Sequence, residues 1–321
     1  MKSRRLVFWS TALLLVIFAH TGVWVIACLR LQDGYRESLV SAKEAGIDTS
    51  STSLHWSGWP FAAEVIVDEV GIRGPATLFP PDLDWTADRL RVRLSARHPT
   101  SLQLLPEGHQ TIAMAGLPKV PFEAATLRIV IDLTGHDPVW AMLQDLDASP
   151  PAGRAHMTAG ILQLPTNAVV ASLSGITLPG IAAPIGMVQG RVSIEPAFPP
   201  AASAAASAQA WRAAGGRLSV TDAQLHWDSL DASLTASGGL DAALQPEGSG
   251  ELTVTGLADF LDRLVAIGAI PASSAIAAKA VLALLAAPSG GGKLPLPVAL
   301  RAGVVSVARF PLLRLAPLAW N

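Results

Sequence analysis

Cysteine is almost missing from this chain: Cys28 stands alone among 321 residues. An intrachain disulfide is therefore impossible, and no cysteine-based metal centre can form. Stability has to come from packing. Charge is also scarce. Lys, Arg, Asp and Glu make up 15% of the residues and sum to a formal −2, with no long basic tract beyond the first few positions. That balance gives no basis for a nucleic-acid surface, so no nucleic acid is expected as a partner. Aromatic residues reach 6%, with nine Trp but one Tyr, so the apolar weight lies in Ala, Leu, Val and Ile.

The usual marks of catalysis are missing too. The seven His are scattered and show no H-E-x-x-H or other compact metal spacing. No G-x-S-x-G nucleophile elbow occurs. Ser289-Gly290-Gly291-Gly292-Lys293 faintly resembles a phosphate loop, but Leu294 stands where a Ser or Thr would meet Mg²⁺. The pairs Asp82/Asp84 and Asp145/Asp147 lack the Gly and terminal Glu of an EF-hand. These gaps lead us to expect no enzyme, no cofactor and no metal.

What is present is apolar. Half the residues are hydrophobic, enough to bury a large core. Leu6–Leu29 carries no Asp, Glu, Lys or Arg. As a helix it measures about 36 Å, longer than the ~30 Å hydrocarbon core of a bilayer. Lys2, Arg4 and Arg5 precede it, which places residues 1–5 in the cytoplasm and the bulk of the chain outside. In a bacterium this means one span of the inner membrane and a periplasmic domain. Trp9 and Trp24 lie near the two ends, as interfacial anchors. His20 is the odd member: a proton relay is the functional reading, but a lone neutral imidazole in a single span more often finds a backbone acceptor or sits near the boundary. A second reading stays open: Val25-Ile26-Ala27-Cys28 resembles the lipobox of bacterial lipoproteins, in which Cys28 would be lipidated after cleavage.

Past the span, Leu31, Tyr35, Leu39 and Ala42 mark one face of a helical stalk over residues 30–46, with Gly46 as its C′ residue. From residue 47 the period changes to two. Ala63/Val65/Val67, Leu90/Val92/Leu94, Leu127/Ile129/Ile131/Leu133, Val188/Val192/Ile194, Leu230/Ala232/Leu234/Ala236 and Leu252/Val254 each read as a strand with one apolar face. Residues 47–195 form a first β-rich half. Residues 196–216, rich in Ala and Pro, are a linker or a marginal Ala helix. Residues 217–321 form a second β-rich half, with a helical insertion at 257–287 read as a helix pair. The fold class is mainly β: an extended antiparallel sheet, curved and internally duplicated. The duplication rests on Leu54-His55-Trp56 recurring as Leu225-His226-Trp227. In both, His is expected to point away from the flanking Leu and Trp, and the Trp to join a core.

Between the stalk and the first long strand stands Ser57-Gly58-Trp59-Pro60-Phe61. Gly58 and Pro60 shape a corner, with Trp59 or Phe61 closing the sheet end. Trp59 resting on the membrane surface is the alternative. This corner, the stretch from Asp82 to His109 and the late run from Gly216 to Val307 resemble, in that order, the bacterial membrane-anchored family catalogued as domain of unknown function 2125. The resemblance implies no assigned activity. A looser similarity links the strand layout to AsmA-type envelope proteins, and it implies a curved sheet with a lipid-holding groove.

Two functions follow as expectations. One is envelope maintenance or lipid binding and transport, with Leu127, Ile129, Ile131 and Leu133 lining an apolar groove and the inner membrane and a phospholipid or other acyl lipid as partners. The other is a ligand-free scaffold with a closed β-sandwich.

Overall fold

The computed structural model describes residues 2–320 except 75–82, 115–117, 182, 200, 202, 309, 316, 319 and, apart from 272, 276 and 279, the segment 267–293. It opens with a single helix, α1 (Lys2–Glu44), of 43 residues. Apolar run and stalk are one continuous rod of about 64 Å. Leu31, Tyr35, Leu39 and Ala42 are half-buried while their neighbours are mostly exposed, as their spacing predicts. Gly46 follows at φ 76°, and Ile47 N closes the end on the Ala42 carbonyl at 2.8 Å.

Strands follow: β1 (Asp48–Ser50), β2 (Ser53–Ser57), β3 (Ala62–Arg73), β4 (Asp84–Ser95), β5 (His98–Ala113), β6 (Val120–Asp132), β7 (Val139–Ala148), β8 (Ala155–Leu164), β9 (Ala168–Thr177) and β10 (Ile185–Glu195). After α2 (Ala204–Ala213) come β11 (Arg217–Trp227), β12 (Leu230–Leu240) and β13 (Pro246–Thr255). Then follow α3 (Leu257–Ala266), β14 (Leu294–Arg301), β15 (Val304–Val307) and β16 (Phe310–Arg314). From β3 onward each strand pairs antiparallel with the next, and β1 and β2 both pair with β3. The result is one open, curled sheet of 16 strands. The Ala-rich segment interrupts the chain, not the sheet. Ser203 caps α2, Trp211 buries its ring against Phe198, and β10 pairs directly with β11. Of the expected helix pair, α3 is present. The second helix falls on residues mostly outside the described set, where Ala272, Ile276 and Lys279 are helical.

The curl has a local cause. Every second strand from β3 to β11 carries a left-handed residue in mid-strand: Glu69 (φ 51°), Gly108 (φ 80°), Asp145 (φ 47°), Gly175 (φ 62°) and Asp222 (φ 53°). Such irregularities bend the strand and sharpen its twist. They also break the two-residue period. Val67 and Val70, three apart, belong to the same buried cluster.

Two small cores sit at the two ends of the sheet. At the first, Val65, Val67, Val70, Leu90 and Val92 are buried beneath Leu31 and Tyr35 of α1. At the second, Leu230, Val254 and Leu296 are buried with Phe260 of α3. Among the described residues no second sheet or helix lies over the strands between them. The accessible surface is 19622 Å². A compact monomer of 33.4 kDa exposes about 12,600 Å². The excess reflects the free rod of α1 and the uncovered sheet.

Candidate functional site

Among the described residues, nothing covers the middle of the sheet. Register converts the sequence pattern into rows. Leu127 pairs with Leu143, Leu143 with Gly160, and Gly160 with Leu173. Leu173 pairs with Val188, Val188 with Leu225, Leu225 with Ala232, and Ala232 with Val254. Eight consecutive strands thus place only apolar residues in one row, about 34 Å long at ~4.8 Å per strand. The next row, one residue along, lies on the opposite face. It reads Arg128, Met142, Ile161, Ser172, Gln189, Gln224, Ser233, Thr253. Gln189 Nε2 donates to Gln224 Oε1 at 3.0 Å there. One face is therefore hydrocarbon across the sheet, and the other is largely polar.

Leu127, Ile129 and Ile131 lie on the apolar face, half-buried. Ile129 stands between Leu104 on β5 and Ala141 on β7. Leu133 lies beyond the end of β6, its N–H on the Thr100 carbonyl and its side chain 56% exposed. It belongs to the rim, not to the row.

The polar face is tied most tightly at β3–β5. Glu64, 5% exposed, lies 3.3 Å from Arg93 and 3.6 Å from Arg91, and Arg91 also reaches Glu107 at 3.1 Å. Asp68 accepts from the Ser53 hydroxyl and from Arg89, and these two bonds hold its carboxyl below the usual carboxylate range. At the β6–β7 turn the Thr134 hydroxyl donates to Asp132, as do the N–H groups of Asp137, Thr134 and His136. Together they hold the Asp132 carboxyl well below that range.

The two Leu-His-Trp motifs occupy matching positions at the two ends. Trp56 meets Trp24 of α1 edge-on at 6.4 Å and donates to Gln32 Oε1 at 2.9 Å. Trp227 packs on Phe260 of α3 at 4.7 Å and donates to the Ala183 carbonyl at 3.0 Å. Each Trp is the seat of a capping helix; Trp227 joins the second core as expected, whereas Trp56 remains 37% exposed and does not join one. Each His points to the other face and meets a carboxylate: His55 lies 3.7 Å from Asp68, and His226 2.6 Å from Asp231. Sequence reading missed both partners. The second was legible from the tight Asp228–Ser229 turn, which sets 226 opposite 231. The first required the register of β2 on β3.

The residues of α1 next to the sheet also settle into place. Trp24 donates Nε1 to the Ala62 carbonyl at 2.8 Å, so it faces the sheet. His20 Nε2 donates to the Pro60 carbonyl at 2.7 Å, the backbone acceptor its position called for. Cys28 is fully buried on the same side of α1. Trp9 is helical, and its side chain lies outside the described set. At the corner, Gly58 (φ 88°) accepts from Phe61 N and Ala62 N at 3.0 and 2.9 Å. Trp59 and Phe61 are 52% and 77% exposed, so neither closes the sheet end. No group of three or more His, Cys, Asp or Glu side chains suited to a metal occurs among the described residues.

A family model described as an uncharacterized protein conserved in bacteria (DUF2125) matches residues 24–316. The chain belongs to that family. The match starts at Trp24, where α1 meets the sheet, and takes in both capped ends and the apolar rows between them. No curated protein and no solved structure matches the chain.

Proposed function

We propose that this DUF2125 member is a non-enzymatic envelope protein, held in the inner membrane by α1 with its sheet in the periplasm, that binds an acyl lipid along the apolar face. The observation that carries the reading is the row from Leu127 to Val188: apolar residues across five strands with no described layer over them, continuing under α3 at Leu225, Ala232 and Val254. Monomeric soluble proteins rarely leave so large a contiguous apolar surface bare unless something binds it. Acyl chains suit it, because they need area rather than directed hydrogen bonds. α1 is long and apolar enough to cross a membrane, and the basic residues on its N-terminal side favour a cytoplasmic N-terminus. The looser likeness to AsmA-type proteins points the same way.

Site-specific photocrosslinking in living cells tests this. A crosslinker at Leu143, on the apolar face, should yield lipid adducts by mass spectrometry; one at the exposed neighbour Gln144, on the polar face, should not. Equal labelling at both sites, or none at Leu143 and Leu173, would reject lipid binding by this face and leave a ligand-free scaffold.

A further inference from the structure

We infer that the Gly58–Phe61 corner is a second membrane contact, with Trp59 and Phe61 inserted into the outer leaflet beside α1. This inference rests on α1 spanning the bilayer and is independent of whether the sheet holds lipid.

The argument is one of depth. The uncharged run ends at Leu29. The corner does not dock at that end. It docks further back, through His20 Nε2 on the Pro60 carbonyl (2.7 Å) and Trp24 Nε1 on the Ala62 carbonyl (2.8 Å). Those positions lie about 8 Å (Trp24) and about 14 Å (His20) along the helix from Leu29 toward the cytoplasmic end. The helix side that carries His20, Trp24, Cys28, Leu31 and Tyr35 faces the sheet. Val23 and Ile26, on its other side, are 67% and 60% exposed and apolar, as lipid-facing positions are. The corner is therefore held at the same level as lipid-facing residues of the anchor.

What the corner presents at that level fits a membrane. Phe61 is 77% and Trp59 52% exposed, and aromatic side chains favour the bilayer interface. The backbone around Phe61 is satisfied within the protein: Phe61 N and Ala62 N bond to Gly58 O, and the carbonyls of Phe61, Pro60 and Ala62 accept from Ala96 N, His20 and Trp24. A corner entering hydrocarbon needs its polar backbone groups paired in this way. Arg97, next in the neighbouring turn, is exposed and can reach a lipid phosphate. The corner also sets the start of β3 at the membrane, with the strand running outward alongside α1.

The test uses the full chain with Cys28→Ser, in vesicles of phosphatidylethanolamine and phosphatidylglycerol. Single cysteines carrying a nitroxide replace Phe61, Val16 of α1 (64% exposed), or Gln144 on the polar face. Accessibility to oxygen and to a water-soluble nickel chelate reports depth. A label at 61 should match the membrane signature at 16, with an oxygen-to-nickel ratio several-fold above that at 144. A label at 61 as open to nickel as at 144, while 16 stays embedded, overturns the inference. An aqueous signature at 16 would instead overturn the span itself, and the inference with it. Unchanged thermal melting of each labelled chain confirms that the fold is retained.

Discussion

Ile129→Asp separates an open apolar face from a closed one. Ile129 is half-buried between Leu104 and Ala141, and no described element lies over it. A carboxylate there can rotate into water. The loss is then the half-burial of one Ile, about half of the 1.5–3 kcal/mol for a full one, or roughly 1 kcal/mol. For a domain of this size that lowers Tm by about 2–4 °C. Val65→Asp puts the same charge on the same face at the end capped by α1, where Val65 is 0% exposed. An unpaired buried charge costs several kcal/mol, on the order of 3–5, against a typical total of 5–15. Thermal melting of both full-length variants in detergent should show a small shift for Ile129→Asp and a collapsed or strongly lowered transition for Val65→Asp. Equal and large losses would mean that the middle of the sheet is covered, and the reading of an open apolar face would fail. Lipid content measured on the same samples should fall for Ile129→Asp.

Two further outcomes test the caps and the turns. Trp227→Ala removes the ring that seats Phe260 and the bond to the Ala183 carbonyl, at a cost of about 2–4 kcal/mol for a large, half-buried aromatic. Hydrogen exchange over residues 257–266 should rise before that of β6–β9; uniform acceleration would show that α3 is not held by this contact. The Asp132 carboxyl, held low by the Thr134 hydroxyl and then by the Asp137 N–H, gives a pH dependence of defined sign. Its contribution is present above the ordinary carboxylate pKa of about 4 and is lost as pH falls through the lower folded value. Protection of the amides of Thr134, His136 and Asp137 should therefore drop as pH falls below about 4, after correction for intrinsic exchange, and Asp132→Ala should remove that dependence. Constant protection in the wild type would refute the turn's reliance on this carboxylate.

Much of this architecture was legible in the residues. A period of two states which side of a strand is apolar, because successive side chains point to opposite faces. The stripe of Leu31, Tyr35, Leu39 and Ala42 likewise states which side of the stalk meets the sheet. The uncharged run states that α1 can cross a bilayer. None of these patterns states what lies opposite an apolar face, and that is what tertiary structure decided. The strand pattern alone fits a sandwich as well as an open sheet, since either buries hydrocarbon. The left-handed residues at Glu69, Asp145 and Asp222 were invisible too, because nothing in a Glu or Asp announces φ > 0, yet they shift the parity of Val70 and Leu146 and bend the sheet. The pairing of His55 with Asp68 needed a register set by distant strands. The depth of Trp59 and Phe61 needed the bonds from His20 and Trp24, which span some forty residues of sequence and depend on how α1 lies along β3. Local chemistry fixed the faces; the contacts between distant segments decided which of them would be covered.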